Sequence, residues 1–245
     1  RLRAQRQLPP VRGKVVVTVH GLGRTRKSMA RMGEYLAQEG GYTWLNFSYA
    51  STRDSIDAHA EALLQVLHDL DEAEEVHFVA HSLGNLVIRR YMHQRALLEP
   101  ERRGPQLGRF VMLAPPNQGA ELAVRLRDNG LFRLIFGTGG RQLAVNWDEV
   151  ERRLAIPPCP FGIVAGGPGE AGLNNPLISK ENDLVVTVAE TRLAGAADFL
   201  VVPEWHTFIM NSPEVRQYTL RFLQHGHFLS PQARQPIRAA EPDVR

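Results

Sequence analysis

From Lys14 to Gly226 the chain alternates between two kinds of apolar spacing. Short runs rich in β-branched residues lie at Lys14–Val19, Thr43–Tyr49, Val76–Ala80, Arg109–Ala114, Phe161–Ala165 and Phe199–Val202. Several are apolar at nearly every position, which predicts strands covered on both faces, as in a parallel sheet. Segments with helical spacing separate them: Lys27–Gln38, Ser55–Leu70, Gly84–Gln94, Ala120–Arg127 and Pro213–Gln224. In the second of these, Ile56, Ala60, Leu63, Leu64 and Leu67 fall on one stripe, with acidic residues opposite. Strand and helix in alternation predict an α/β fold, a doubly wound and mostly parallel sheet of about six strands with right-handed crossovers. Chemistry in such sheets lies beyond the carboxyl ends of the strands.

The two ends lack this periodicity. Residues 1–13 are basic and carry two prolines, and are expected to form a flexible arm; residues 14–226 are expected to form one domain. Residues 227–245, with Pro231, Pro236 and Pro242, are expected to be a flexible tail. Because the chain begins at Arg1, an upstream segment is expected to have been removed. If that segment was an export signal or anchor, the location is extracytoplasmic or membrane-anchored, and otherwise cytoplasmic.

Composition narrows the class without naming a function. The chain has 245 residues, 43% of them hydrophobic and 22% charged, enough to bury a full core in one α/β domain. Disordered, collagen-like and coiled-coil classes are excluded. The single cysteine, Cys159, excludes an internal disulfide framework and a cysteine-based zinc site. No apolar run reaches the roughly 18 residues that a membrane span needs. The formal net charge is +3, and the basic residues, almost all arginine, are scattered among acids on predicted helices. That pattern reads as a solvated face, and no nucleic-acid partner is expected.

The strongest chemical signal ends the third strand. Val76–Ala80 runs into His81-Ser82-Leu83-Gly84 and then directly into a helix. A serine on so tight a strand-to-helix turn holds its hydroxyl above the sheet, beside the N–H groups of a helix start. Small residues are needed two positions either side, where the two backbones approach, and Ala80 and Gly84 supply them. A plain helix N-cap is the competing role for Ser82.

This turn resembles the nucleophile elbow G-x-S-x-G of the α/β-hydrolase superfamily, with alanine for the first glycine, as in small bacterial lipases. Val19-His20-Gly21-Leu22-Gly23 is similar to the H-G-x-G loop of the family's lipases and esterases. The resemblance implies that the Leu22 and Leu83 N–H groups form an oxyanion hole and that His20 orients the loop without moving a proton. Taken alone, the loop reads first as a plain glycine-rich turn, and it is the elbow beside it that favours the oxyanion role; neither phosphate-binding glycine spacing is present.

Family chain order, serine then acid then histidine, sorts the nine histidines. His206 follows the last strand and precedes the final helix, which implies that it is the general base. His225 and His227 flank Gly226 and suit a helix C-terminus. The implied acid is Asp183, in Asp183-Leu184-Val185-Val186, where the family often has Asp-Gly-x-Val. Glu181 and Glu204 are its rivals, and a cap is its non-catalytic alternative.

Pro115-Pro116-Asn117-Gln118-Gly119 resembles a proline-led turn of lipases and related lipid deacylases, so Asn117 and Gln118 either line the substrate or simply make the turn. Residues 130–157 contain an apolar stretch, Gly130–Gly137, expected to be either a lid or cap, or an ordinary core helix. The implied activity is hydrolysis of a carboxylic ester, a small-molecule or lipid ester, through an acyl-enzyme on Ser82. No cofactor or metal is expected, and peripheral membrane contact is left open. A thioesterase or acyltransferase with the same three residues is one alternative, and a non-catalytic binder of the same fold is another.

Overall fold

A computed structural model describes residues 10–70, 72–100, 104–121, 124, 147–168, 175 and 181–238. Its strands are β1 (Gly13–Val19), β2 (Thr43–Phe47), β3 (Ala73–His81), β4 (Gln106–Leu113), β5 (Phe161–Gly166) and β6 (Asp198–Val202). They pair in parallel in the order β2-β1-β3-β4-β5-β6. Each predicted strand is present with ends moved by a few residues. β2 stops at Phe47, ahead of a turn in which the Ser51 N–H donates to the Tyr49 carbonyl at 3.0 Å.

The helices are α1 (Ala30–Gly40), α2 (Ile56–His68), α3 (Leu83–Ala96), α4 (Trp147–Glu151) and α5 (Pro213–His225). The helix predicted over 27–38 divides into a 3-10 turn, Arg26–Met29, and α1, which Gly41 ends in the left-handed conformation at φ 67°. Ser55 starts α2 by accepting the Ala58 N–H at 3.2 Å. Ser212 and Pro213 start α5, and Gly226 closes it at φ 79°.

Period-two alternation assigns each strand's side chains to two cores. Val15, Val17 and Val19 of β1 face the core that Ile56, Ala60 and Leu63 of α2 share with Leu86 and Tyr91 of α3. Val16 faces the other, with Met32 and Leu36 of α1 and Phe222 of α5. Both faces of the central strands are therefore dry, which is why their sequences are apolar without alternation, while β2 and β6 at the edges are partly exposed. The connection from β1 runs outward to β2, and β3 then returns to the opposite side of β1. The loops after β1 and β3 diverge there, opening the crevice at which doubly wound sheets bind ligands.

The expected tail is corrected over residues 227–238. The buried Phe228 packs beside Phe222, ring centroids 4.9 Å apart, and its N–H donates to Asp198 Oδ2 at 2.8 Å. The Gln235 N–H donates to Asp198 Oδ1 at 2.9 Å, and Ile237 exchanges backbone bonds with Gly195 and Ala196. This segment is a strap over the start of β6, because the buried Asp198 carboxylate takes two donors from it and only one, the Phe199 N–H, from its own strand. At the other end, Val11 is already buried in the core and Gly13 begins β1; residues 1–9 of the expected arm lie outside the described residues.

Candidate active site

β3 delivers Ser82 into a backbone conformation that side chains rarely adopt, φ 52° and ψ −124°. Such a conformation costs on the order of 1–3 kcal/mol and persists where surrounding structure over-determines it. Here the Ser82 N–H donates to the Leu113 carbonyl of β4, and Asn85 on α3 bonds the Ser82 carbonyl through its backbone and its side chain. The tight turn brings α3 against β1: a Cβ on Gly84 would lie 2.7 Å from the carbonyl oxygens of Val19 and His20. Gly84 is therefore obligatory at that contact.

The loop after β1 lies against the serine, since a Cβ on Gly21 would fall 3.0 Å from Ser82 Cβ. His20 sets the orientation of this loop. Its ring is buried and stacks on Tyr49, centroids 4.4 Å apart. The Tyr49 N–H approaches Nε2 at 3.5 Å, which makes Nε2 the acceptor and leaves Nδ1–H to donate to the Gly21 carbonyl at 2.9 Å. Because the peptide is planar and trans, fixing that carbonyl turns the Leu22 N–H the opposite way. Among the described residues neither the Leu22 nor the Leu83 N–H has a protein acceptor. Burial lowers the His20 pKa, in keeping with a neutral ring that orients the loop.

Asp183 and His206 meet at 2.8 Å, Oδ2 to Nδ1, with both residues buried. The other carboxylate oxygen accepts the Val185 and Val186 N–H groups at 3.0 and 2.7 Å, and the Asp183 carbonyl accepts the His206 N–H at 3.0 Å. The carboxylate is thus saturated on one side and aimed at the imidazole on the other. The turn that presents those amides passes through Leu184 at φ 81°, left-handed for a leucine, where the family pattern has glycine. Asn182 Oδ1 accepts the Leu184 N–H at 2.9 Å and holds the turn. Gly166, at the end of β5, leaves the room: a Cβ there would lie 2.7 Å from Asp183 Cβ and closer still to the Glu204 carbonyl. Glu181 is exposed and Glu204 half-buried, and neither has a side-chain bond to His206 among the described residues.

His81, which precedes Ser82, joins the two halves. Its Nε2–H donates to the His206 carbonyl at 2.9 Å, and the two rings lie 4.7 Å apart. Burial, then the nearby His206, holds its pKa well below the ordinary histidine value, so the ring is neutral. The sequence did not single out His81, because its partner is a main-chain atom 125 residues away. Its adjacency to Ser82 was the one available signal. Tyr49 was missed for the same reason; its hydroxyl donates to the His20 carbonyl at 2.7 Å.

The Asn117 and Gln118 side chains are both engaged in the fold of their own turn. Asn117 is fully buried, its Oδ1 accepting Arg89 Nη1–H at 2.9 Å and its Nδ2 donating to the Thr191 carbonyl at 2.8 Å. Gln118 is exposed and donates to the Arg192 carbonyl at 3.1 Å. Both tie the 115–119 turn to the turn at 187–192, the alternative the sequence left open. Within the expected lid, residues 130–146 lie outside the described residues. Residues 147–157 take the core alternative: Leu154 is buried, Val150 packs on the same core, and Ala155 exchanges bonds with Arg89 of α3. Burial pushes the Cys159 thiol up to about 12, which leaves it no thiolate near neutrality. Among the described residues no cluster of His, Cys, Asp or Glu is placed to hold a metal, and no helix is long and apolar enough to cross a membrane.

A family model described as a domain of unknown function, DUF7379, matches residues 2–148. The chain belongs to the DUF7379 family. That match takes in Leu22, Ser82 and Leu83 and ends before Asp183 and His206. No curated protein matches the DUF7379 chain by sequence. Among solved structures it is similar to the lin2722 gene product of Listeria innocua, at 15% identity over 95% of this chain and 99% of that one, TM-score 0.60. It is similar to the mature lipase BlEst2 of Bacillus licheniformis, at 19% identity over 80% and 86%, TM-score 0.60. It also resembles the phospholipase PlaB of Legionella pneumophila, at 21% identity over 73% of this chain and 45% of that one, TM-score 0.57. The sheet order, the crossovers and these likenesses give the DUF7379 chain the α/β-hydrolase fold.

Proposed function

We propose that this protein is a serine hydrolase that cleaves carboxylic esters, with lipid or acyl esters as the substrate class. The observation that carries the reading is the 2.8 Å Asp183–His206 bond, clamped by His81 to the strained turn that bears Ser82. Asp183 accepts from Nδ1–H, so the imidazole presents Nε2 as its basic nitrogen. His206 takes the Ser82 proton as Oγ attacks the ester carbonyl, and the Leu22 and Leu83 N–H groups receive the developing oxyanion. The protonated imidazole returns its proton to the leaving alkoxide as the carbon–oxygen bond breaks. Water then attacks the acyl-enzyme with His206 again as base, releasing the acid and restoring Ser82. Fold likeness to proteins named as a lipase and a phospholipase favours lipid esters.

The test is labelling with a fluorophosphonate. We expect one adduct, on Ser82, absent in Ser82→Ala and strongly slowed in His206→Ala. A chain that takes no label overturns the enzyme reading. A panel of p-nitrophenyl esters graded by chain length then defines the acyl group.

A further inference from the structure

The carboxyl edge of the sheet carries a surface that ester cleavage does not use. Arg24 follows the loop after β1, Arg26 and Lys27 stand on the 3-10 turn, and Arg31 on the first turn of α1. Arg26, Lys27 and Arg31 are exposed and Arg24 is half-buried. From Arg24 to Gly33 there is no acidic residue, Glu34 being the first. Among the described residues none of the four cations is in an ion pair. The Arg24 guanidinium is close enough to the site that its charge helps to lower the His81 pKa.

The same edge bears exposed aromatic surface. The 3-10 turn of Arg26 and Lys27 packs against the 3-10 turn Ile209–Asn211, which Phe208 precedes. Phe208 is 51% exposed, and the half-buried Trp205 lies 6.4 Å from it, centroid to centroid. Both rings flank His206 in sequence. Four cations without counter-ions suit any polyanion, including an acidic protein. A bare phenyl ring beside an indole suits an apolar boundary as well, and an anionic bilayer offers both at once.

We propose that Arg24, Arg26, Lys27, Arg31, Trp205 and Phe208 form a docking rim for an anionic phospholipid surface, against which the mouth of the site is pressed. Headgroup phosphates meet the cations while the rings enter the interface, so ester substrate reaches Ser82 from the membrane. The purpose of this docking rests on the ester-hydrolase reading, but the docking is measured without it.

The experiment uses the full chain carrying Ser82→Ala, so that the vesicles stay intact. Co-sedimentation is compared on vesicles of phosphatidylcholine alone and of phosphatidylcholine with phosphatidylglycerol. We expect binding to the anionic vesicles, weakened by salt. Each basic residue near such a surface contributes about fivefold, so Arg26→Gln, Lys27→Gln and Arg31→Gln together lower binding on the order of a hundredfold. Phe208→Ser lowers it about tenfold by removing a buried ring. Unchanged melting temperatures show that the variants fold. Equal binding to both vesicles, or a triple variant that binds like its parent, overturns the proposal. So does a chain that ignores vesicles while the triple variant, made with Ser82 intact, raises KM for a soluble anionic ester, because the cations would then read the substrate's own charge. Failure of fluorophosphonate labelling would remove the ester reading and leave the vesicle result standing.

Discussion

Replacing Asp183 with asparagine tests the charge arrangement with almost no change of shape. The new amide has two orientations. In the first, its oxygen keeps the Val185 and Val186 N–H bonds and its NH₂ faces His206 Nδ1. Nδ1 must then accept, the proton moves to Nε2, and the imidazole can no longer take the Ser82 proton. In the flipped orientation the oxygen serves His206, but the NH₂ confronts two N–H donors. Leaving those donors unpaired costs about 1–3 kcal/mol each. The working orientation is therefore populated at between roughly one part in 30 and one in 10⁴, and the carboxylate charge that stabilises the imidazolium is lost as well. We expect kcat on a p-nitrophenyl ester to fall about 10³–10⁴-fold, or about 4–5 kcal/mol in barrier. The thermal midpoint should stay within about 4 °C, since the packing is kept. If Asp183→Asn retains activity within about tenfold and Glu204→Gln loses it, the assignment of the acid is wrong.

Other substitutions probe the parts that support this pair. His20→Phe keeps a ring against Tyr49 but removes the shorter of the two bonds to the Gly21 carbonyl, leaving only the Arg24 N–H at 3.3 Å, so kcat should drop on the order of 10-fold to 10²-fold through a loosened Leu22 N–H; an unchanged kcat would disconnect His20 from the oxyanion loop. Gly166→Ala places a methyl 2.7 Å from Asp183 Cβ, and should lower kcat about tenfold or more with little effect on KM. Equal kinetics for that variant would mean the Asp183 turn yields freely. For pH, burial lowers the pKa of His81 and, less strongly, of His20, His59 and His77. The unfolded chain takes up protons near about pH 6.5 where the folded chain does not, so stability is complete above that pH and lost as pH falls below it. His81 alone should cost about 1 kcal/mol per pH unit in that acid range. Thermal melts at about pH 7.5 and about pH 5.5 check this; a flat midpoint would refute it, and His81→Gln should reduce the slope.

What could be read from the sequence follows from which interactions are local. Strand apolarity and helix spacing depend on neighbours in the chain, so all six strands and the stripe on α2 were visible. Ser82 was legible because a sharp strand-to-helix turn demands small residues at fixed offsets, and Ala80 and Gly84 meet the demand. Asp183 was harder: Leu184 occupies a left-handed position that glycine usually marks, so the local signal was blurred while the geometry was kept. Asn117 was misleading because its chemistry suits a binding site, yet its partners, Arg89 and the Thr191 carbonyl, come from distant parts of the chain. The strap at 227–238 escaped notice for a related reason. Its prolines and polar residues read as unstructured, while a single buried carboxylate, Asp198, supplies the reason for it to dock.

That strap has a consequence for how the molecule is made. β6 joins only the outer edge of β5, and the carboxylate at its start is buried under bonds to Phe228 and Gln235. During vectorial synthesis those donors leave the ribosome 30 and 37 residues after Asp198. Until they arrive, water must solvate the carboxylate, and closing the sheet over it is uphill. The loop bearing His206 hangs from the far end of the same strand, so the candidate site is complete only when this edge strand is in place. An expression boundary placed after Gly226, at the tidy end of α5, would remove the clasp and leave a chain poised to aggregate through its unfinished edge.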